Sequence, residues 1–353
     1  MVIPLDGSFL RGKDVLLTGH TGFKGSWMCV LLDSLGAKVH GYSLEPPTEP
    51  SLYELASLDD MVDSRIGDIR DLDSLESFYS EVDPDVVIHM AAQPIVREGY
   101  RDPRYTYETN VMGTVNILEC LRKHPGAASF LNVTTDKVYD NLETDKHYTE
   151  ADPLDGYDPY SNSKSCSELV THSYRRSFLG DVCPVSTARA GNVIGGGDFA
   201  KDRIVPDCVN AAIAGRPIEL RNPNSVRPYQ HVLEPLHAYL AIIQAQASDP
   251  SLAGAYNVGP RKEDCVTTGQ LADMFCRSWG GDVRWITHND NGPHEANFLK
   301  LDSTLIRERL GFVPRWHIGD AIDRTVEWTK AWVAGDDVLD VMRRQIGMYE
   351  AMQ

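Results

Sequence analysis

A chain of 353 residues, 42% of them hydrophobic, has enough apolar material for two lobes around a sizeable core. Its 51 acidic residues against 34 basic ones leave a net charge of −17. Such a surface repels phosphate backbones and anionic lipid, so neither nucleic acid nor membrane is expected as a partner, and an anionic ligand must find a local basic pocket. The seven cysteines are scattered without a C-x-x-C pair, which reads as reduced thiols in a cytoplasmic protein. No basic-then-apolar signal pattern opens the sequence, and no window approaches the roughly 18 apolar residues of a membrane span.

The chain order alternates. "DVLLTG" (14–19) reads as a buried strand, and "GFKGSWMCVLLDSLG" as a helix closed by Gly36. Strands follow at 37–43, 64–71 (with a helix after it) and 85–92; a helix is predicted over 105–123, a fifth strand over 128–135, a helix over 159–177 and a sixth strand over 184–193. This alternation predicts an α/β fold, a doubly wound Rossmann-type parallel sheet with strand order 3-2-1-4-5-6. After about residue 195, Gly/Asp/Pro-rich loops such as "GGGDFAKD" break up shorter helices. Residues 1–193 are therefore expected to form the dinucleotide-binding domain, and 194–353 mainly a smaller substrate-binding C-terminal lobe, with some segments returning to the first domain and the ligand in the cleft between.

Gly19, Gly22 and Gly25 follow a strand and open a helix, the context in which a glycine loop cradles a diphosphate at a helix N-terminus. Lys24 adds a positive charge expected near phosphate. The acidic residue that usually ends the second strand and binds the adenosine ribose is missing; Tyr42 and Ser43 stand there, so this site does not choose between NAD and NADP. Asp68 either contacts adenine or caps the following helix. Tyr160 and Lys164, at i and i+4, share a helix face. Only about one free tyrosine in a thousand is phenolate at pH 7, a cost of roughly 4 kcal/mol that a nearby ammonium reduces. Such a pair can take a proton from a sugar hydroxyl while hydride leaves its carbon. Asp136 and Lys137, in "TTDK" (134–137), form an acid–amine couple at the end of the fifth strand. A simple dehydrogenase needs neither; an enzyme that also moves protons and water uses both.

With these motifs, and with "GHTGFKGSW", "TTDKVYDN", "GYDPYSNSK", "TARAGNVIGGGDF", "RPYQHVLEPLHAYL" and "PHEANFLKLD", the chain resembles the extended short-chain dehydrogenases/reductases, and among them the CDP-glucose 4,6-dehydratase family. The matching stretches run from residue 19 to about 316; the glycine loop and Y-x-x-x-K mark the superfamily, the others the CDP-sugar branch. The resemblance implies a lyase of deoxysugar biosynthesis, of the lipopolysaccharide O-antigen kind, with NAD tightly bound and regenerated each cycle. It implies Thr135, Asp136, Lys137, Tyr160 and Lys164 as catalytic. It implies NAD contacts at Gly19, Thr21, Gly22, Phe23, Lys24, Gly25, Ser43, Asp68, Ile69, Ala91, Ala92, Gln93, Asn110 and Thr134 besides Tyr160 and Lys164. The CDP-sugar substrate would meet Asn192, Arg203, Arg227, His231 and His294, although both histidines could equally be packed ones and Asn110 could serve its own backbone. Lys137 stands where related dTDP-glucose enzymes carry a Glu that acts as the C5 base, so the base stays open, while Asp136 keeps the acid role. Helices 105–123 and 160–177 are expected to pair across a homodimer, or a homotetramer built from it. A dehydratase of another CDP sugar, such as a CDP-heptose, or an epimerase or decarboxylase on the same fold remains the alternative; no metal is called for.

Overall fold

The structure, a computed structural model, describes residues 7–287 and 298–352. Strand β1 (Asp14–Thr18) leads into α1 (Phe23–Ser34), then β2 (Lys38–Ser43), β3 (Val62–Ile66), α2 (Leu72–Val82) and β4 (Val86–His89). A helical run starts at Pro103–Tyr107, passes through a π-helical stretch Glu108–Met112 and continues as α3 (Gly113–Lys123). Then come β5 (Ser129–Val133), α4 (Pro159–Tyr174), β6 (Val185–Ala190), α5 (Ile204–Ile213), α6 (Leu233–Ser248), β7 (Ala255–Val258), α7 (Thr268–Trp279), α8 (Ile318–Ala334) and α9 (Val338–Glu350).

The central sheet is parallel throughout, in the order β7-β6-β5-β4-β1-β2-β3. The expected order of six strands is present, and a seventh extends it: β7 comes from the second half of the chain and pairs Tyr256 with Ala188. "AYNV" is too short for periodicity to reveal; its partner β6, buried along its whole length, needs a neighbour for its backbone groups. The helix α6 before it is pinned to the sheet by Gln246, whose Nε2 donates to Ser129 Oγ at 2.7 Å and to Phe130 O at 2.9 Å. The third strand stops at Ile66 rather than 71, because Gly67 turns against the Tyr42 ring, where a Cβ would lie 2.5 Å away.

A second hydrophobic cluster joins α5, α7 and α8 through Val205, Leu271, Phe275 and Ile322. Small paired strands tie the later segments together, among them Val193–Ile194 with Gln230–His231 and His147–Tyr148 with Lys300–Leu301. The carboxyl ends of the sheet strands and these later loops thus share one side, where an open α/β sheet binds ligand. No helix among the described residues is long and apolar enough to cross a membrane.

Candidate active site

The glycine loop leaves β1 and enters α1 with its glycines where the backbone runs tightest. Gly19 has φ 80°, and a Cβ there would lie 2.8 Å from Ala91 N; at Gly25 it would lie 2.1 Å from Gly19 O. Gly22 occupies the N-cap without a side chain to cap α1, and the first turn carries no acidic residue. The first-turn amides therefore face an anion site formed by backbone alone. Thr21 closes one side, its hydroxyl 2.8 Å from both Ser43 Oγ and Leu44 O. These residues fit a dinucleotide, with its diphosphate at the N-terminus of α1.

At the adenosine end, Asp68 is no helix cap. Asp71 caps α2, and Asp68 forms a 2.6 Å ion pair with Arg70, which holds its carboxyl below the usual range. Ile69 packs beneath Gly113, where a Cβ would approach its Cγ2 to 2.7 Å. Three of the expected cofactor contacts have side chains engaged by the protein itself. The Asn110 side chain is buried, accepting from Gln93 N at 2.8 Å and donating to Gln93 O at 3.1 Å and Ser163 Oγ at 2.8 Å. Gln93 is equally occupied, with Nε2 on Thr106 Oγ1 at 2.9 Å and Oε1 accepting from Ile95 N at 2.6 Å. Thr134 donates inward to Glu168. The hydrogen bonds of these three side chains are thus made within the protein. The π-helical stretch at Glu108–Met112 is where Asn110 does this work, which sequence periodicity registered only as continuous helix.

Helix α4 presents Tyr160 and Lys164 because Asp158 and Pro159 start it there. The Asp158 carboxylate accepts from Tyr160 N at 3.0 Å and Ser161 N at 3.1 Å, and proline fills the first helical position. Lys164 donates from Nζ to Val133 O at 3.1 Å, reaching the end of β5. Burial pushes its pKa down to about 8, with Glu168 opposing. Burial pushes Tyr160 up to about 12; its side-chain hydrogen bond with Thr135 and the charge of Arg203 oppose this, and Asp136 adds to it. Thr135 Oγ1 donates its proton to Asp136 Oδ1 at 3.0 Å. Asp136 is buried, its Oδ2 has no hydrogen-bond partner among the described residues, and burial raises its pKa against the charges of Lys137 and Arg227. Thr135, Asp136, Tyr160, Lys164 and Arg203 are thus brought together. They carry a carboxyl kept ready to hold a proton beside a tyrosine that needs help to lose one.

Beside them opens a cavity of about 460 Å³ lined by Lys137, Arg227, Val96, Tyr139, Tyr157 and Asp158, among others. Arg227 is buried apart from this face. Arg203 is paired with Asp198 at 3.0 Å. Asn192 uses its carbonyl on Gln230 N at 3.0 Å, inside the small sheet. The His231 ring is wholly buried against Trp316, with centroids 4.7 Å apart, and Trp27 at 5.9 Å, the packed arrangement that was one of its two alternatives. It is a core histidine, burial pushing its pKa down to about 3. His294 lies outside the described residues.

Sequence reasoning missed the support behind Lys164. Glu168, four residues on and therefore on the same face, accepts from Thr187 Oγ1 at 2.7 Å and Arg189 Nη2 at 2.9 Å. Arg189 Nη1 donates to Tyr139 Oη at 2.9 Å, and Tyr139 lines the cavity. The spacing Tyr160, Lys164, Glu168 was the available signal. Tyr239, on α6, faces the same centre and carried none.

A model of the GDP-mannose 4,6-dehydratase family matches residues 16–325. The chain belongs to that family. Within it, this protein is 45% identical to a CDP-glucose 4,6-dehydratase of Salmonella typhimurium over 98% of both chains. It is 28% identical to a dTDP-glucose 4,6-dehydratase of Xanthomonas campestris pv. campestris, over 92% of this chain and 95% of the other. Among solved structures it is similar to a dTDP-glucose 4,6-dehydratase of Streptomyces venezuelae with NAD and TYD bound, with TM-score 0.76, 25% identity, and 92% and 99% of the chains covered. A UDP-glucose 4-epimerase of Stenotrophomonas maltophila, 20% identical, shares the fold with TM-score 0.79 over 92% and 99%.

Proposed function

We propose that this protein is an NAD-dependent CDP-glucose 4,6-dehydratase, a hydro-lyase converting CDP-glucose to CDP-4-keto-6-deoxyglucose. The observation that carries the reading is the full-length 45% identity to an enzyme of that name, together with an acid–amine couple, Asp136 and Lys137, at the cavity beside Tyr160. An epimerase of the same fold has no water to expel and no use for that couple.

NAD would be held by the loop of Gly19, Gly22 and Gly25, by Thr21 and Ser43, and by Tyr160 and Lys164. When bound, it supplies the acceptor for hydride from sugar C4 and the donor that returns it to C6. Tyr160 Oη takes the C4 hydroxyl proton, with Thr135 holding that oxygen and Lys164 stabilising the phenolate. The C4 ketone acidifies the hydrogen on C5, which passes to the Lys137 amine. Asp136 gives its proton to the C6 hydroxyl as the C6–O bond breaks and water leaves. Burial raises the Asp136 pKa, the direction that favours a general acid. Arg203 and Arg227 supply guanidinium forks for the substrate diphosphate in an otherwise acidic protein.

We read the active form as a homodimer. Met112, Leu169 and Phe178 are about half exposed, at 49%, 54% and 53%, along the helical run 103–123 and on α4 with its extension. Large apolar side chains in such a row suit a helix–helix interface with a second copy. A cytoplasmic location fits seven free cysteines. Mass spectrometry of CDP-glucose after incubation with the protein, beside dTDP-, UDP- and GDP-glucose, tests the substrate. Loss of one water from CDP-glucose alone is expected. An isomer with unchanged mass, or water lost from another nucleotide sugar in preference, overturns the reading.

A further inference from the structure

Tyr239 stands at the reaction centre with a hydroxyl that the mechanism above leaves unused. It lies in the second turn of α6 and is fully buried, and its Oη has no hydrogen-bond partner among the described residues. Asp136 Oδ2 is in the same position, but there the proton it carries gives it work. A phenol oxygen buried without a partner lowers stability. The Tyr239 ring belongs to the main hydrophobic cluster with Trp27, Leu31 and Leu240, and phenylalanine would serve that packing without the cost. The hydroxyl therefore calls for a partner that is not part of the chain.

Two neighbours locate it. Lys24, in the first turn of α1, has its Nζ 5.9 Å from the centroid of the Tyr239 ring. Lys24 also faces Lys164, Arg203 and Asp136, so it stands at the reaction-centre end of the groove and not at the adenosine end. Tyr239 in turn faces Tyr160. It is thus set between the helix N-terminus that takes the diphosphate and the tyrosine beside which hydride moves. A dinucleotide laid along the groove brings its nicotinamide end past that position. The cavity that takes the sugar is lined by other described residues. The carboxamide of a nicotinamide ring offers a carbonyl acceptor and amide donors, so it complements a phenol that can both donate and accept. We propose that Tyr239 is a cofactor-binding residue, its hydroxyl hydrogen-bonded to the nicotinamide carboxamide of bound NAD and holding the ring beside Tyr160. This rests on the NAD reading above and on no particular sugar.

The test compares wild type with Tyr239→Phe, both stripped of cofactor and without nucleotide sugar. Calorimetry gives the dissociation constants of NAD⁺ and of ADP-ribose, which keeps the diphosphate and both riboses but lacks the nicotinamide. Denaturant unfolding of the stripped proteins gives their midpoints. The expected result is NAD⁺ binding about tenfold weaker in Tyr239→Phe, the loss of one hydrogen bond, with ADP-ribose binding unchanged. The denaturation midpoint of the stripped variant should be no lower than that of wild type, since only an unpartnered hydroxyl is removed. Equal weakening of NAD⁺ and ADP-ribose would place the contact on the ribose or diphosphate and overturn the proposal. Unchanged NAD⁺ affinity overturns it too, and so does a lower midpoint, which would give the hydroxyl a partner inside the protein. Failure of wild type to bind NAD⁺ overturns the NAD reading with it.

Discussion

Glu168→Gln separates structural from catalytic support in one substitution. Glu168 and Arg189 form a 2.9 Å pair with side-chain exposures of 3% and 5%. Neutralising one partner leaves the Arg189 charge buried, which costs about 3–5 kcal/mol. The same change removes the carboxylate that opposes the desolvation of Lys164. If the Lys164 pKa falls by about one unit from its present value of about 8, its protonated fraction at pH 7.5 drops roughly threefold. The sign follows from the lowered folded pKa of a base: the ammonium is present below that pKa and lost as pH rises through it. The alkaline limb of kcat should therefore move down by about one pH unit. Denaturant unfolding gives the stability change, and kcat against pH gives the second effect. Pairing Glu168→Gln with Arg189→Met removes the orphaned charge, so most of the stability should return while the displaced alkaline limb stays. A double variant no more stable than the single one, or a limb that returns with the stability, refutes this assignment of roles.

Other substitutions read other parts. Glu234→Ala should cost about 3 kcal/mol, seen as a lower denaturation midpoint, because Tyr349 Oη, Arg315 N and Trp316 N lose their buried acceptor. Tyr160→Phe should lower kcat by about 10²–10⁴ with NAD binding retained, measured on CDP-glucose. Lys137→Met should leave C4 oxidation intact and stop water loss, so that a single turnover leaves NADH absorbance standing rather than transient. Leu169→Asp with Met112→Asp should convert the protein to a monomer in sedimentation analysis, since both side chains are about half exposed and not part of a core.

Much of this was legible because it is local. The order of the first six strands follows from alternation and right-handed crossovers, and Tyr160 with Lys164 from helical spacing. The glycine loop announces itself because only glycine fits where Gly25 meets Gly19 O. What stayed hidden is long-range. β7 joins the sheet from about 65 residues beyond β6, with only four residues to show for it. Asn110 and Thr134 are polar residues at groove positions, and nothing in the chain order says that Gln93 and Glu168 have already taken them. His231 illustrates the same limit: its burial depends on Trp27 and Trp316, which lie far away on either side in sequence. Lys24 was found by its motif, but its direction needed the position of Tyr239.

The most direct measurement follows deuterium placed on C4 of CDP-glucose through one cycle. The account predicts a product that has lost water and carries the label at C6, moved within one molecule and therefore undiluted when unlabelled CDP-glucose is mixed in. Label lost to solvent, label still on C4, or a product of unchanged mass would contradict it.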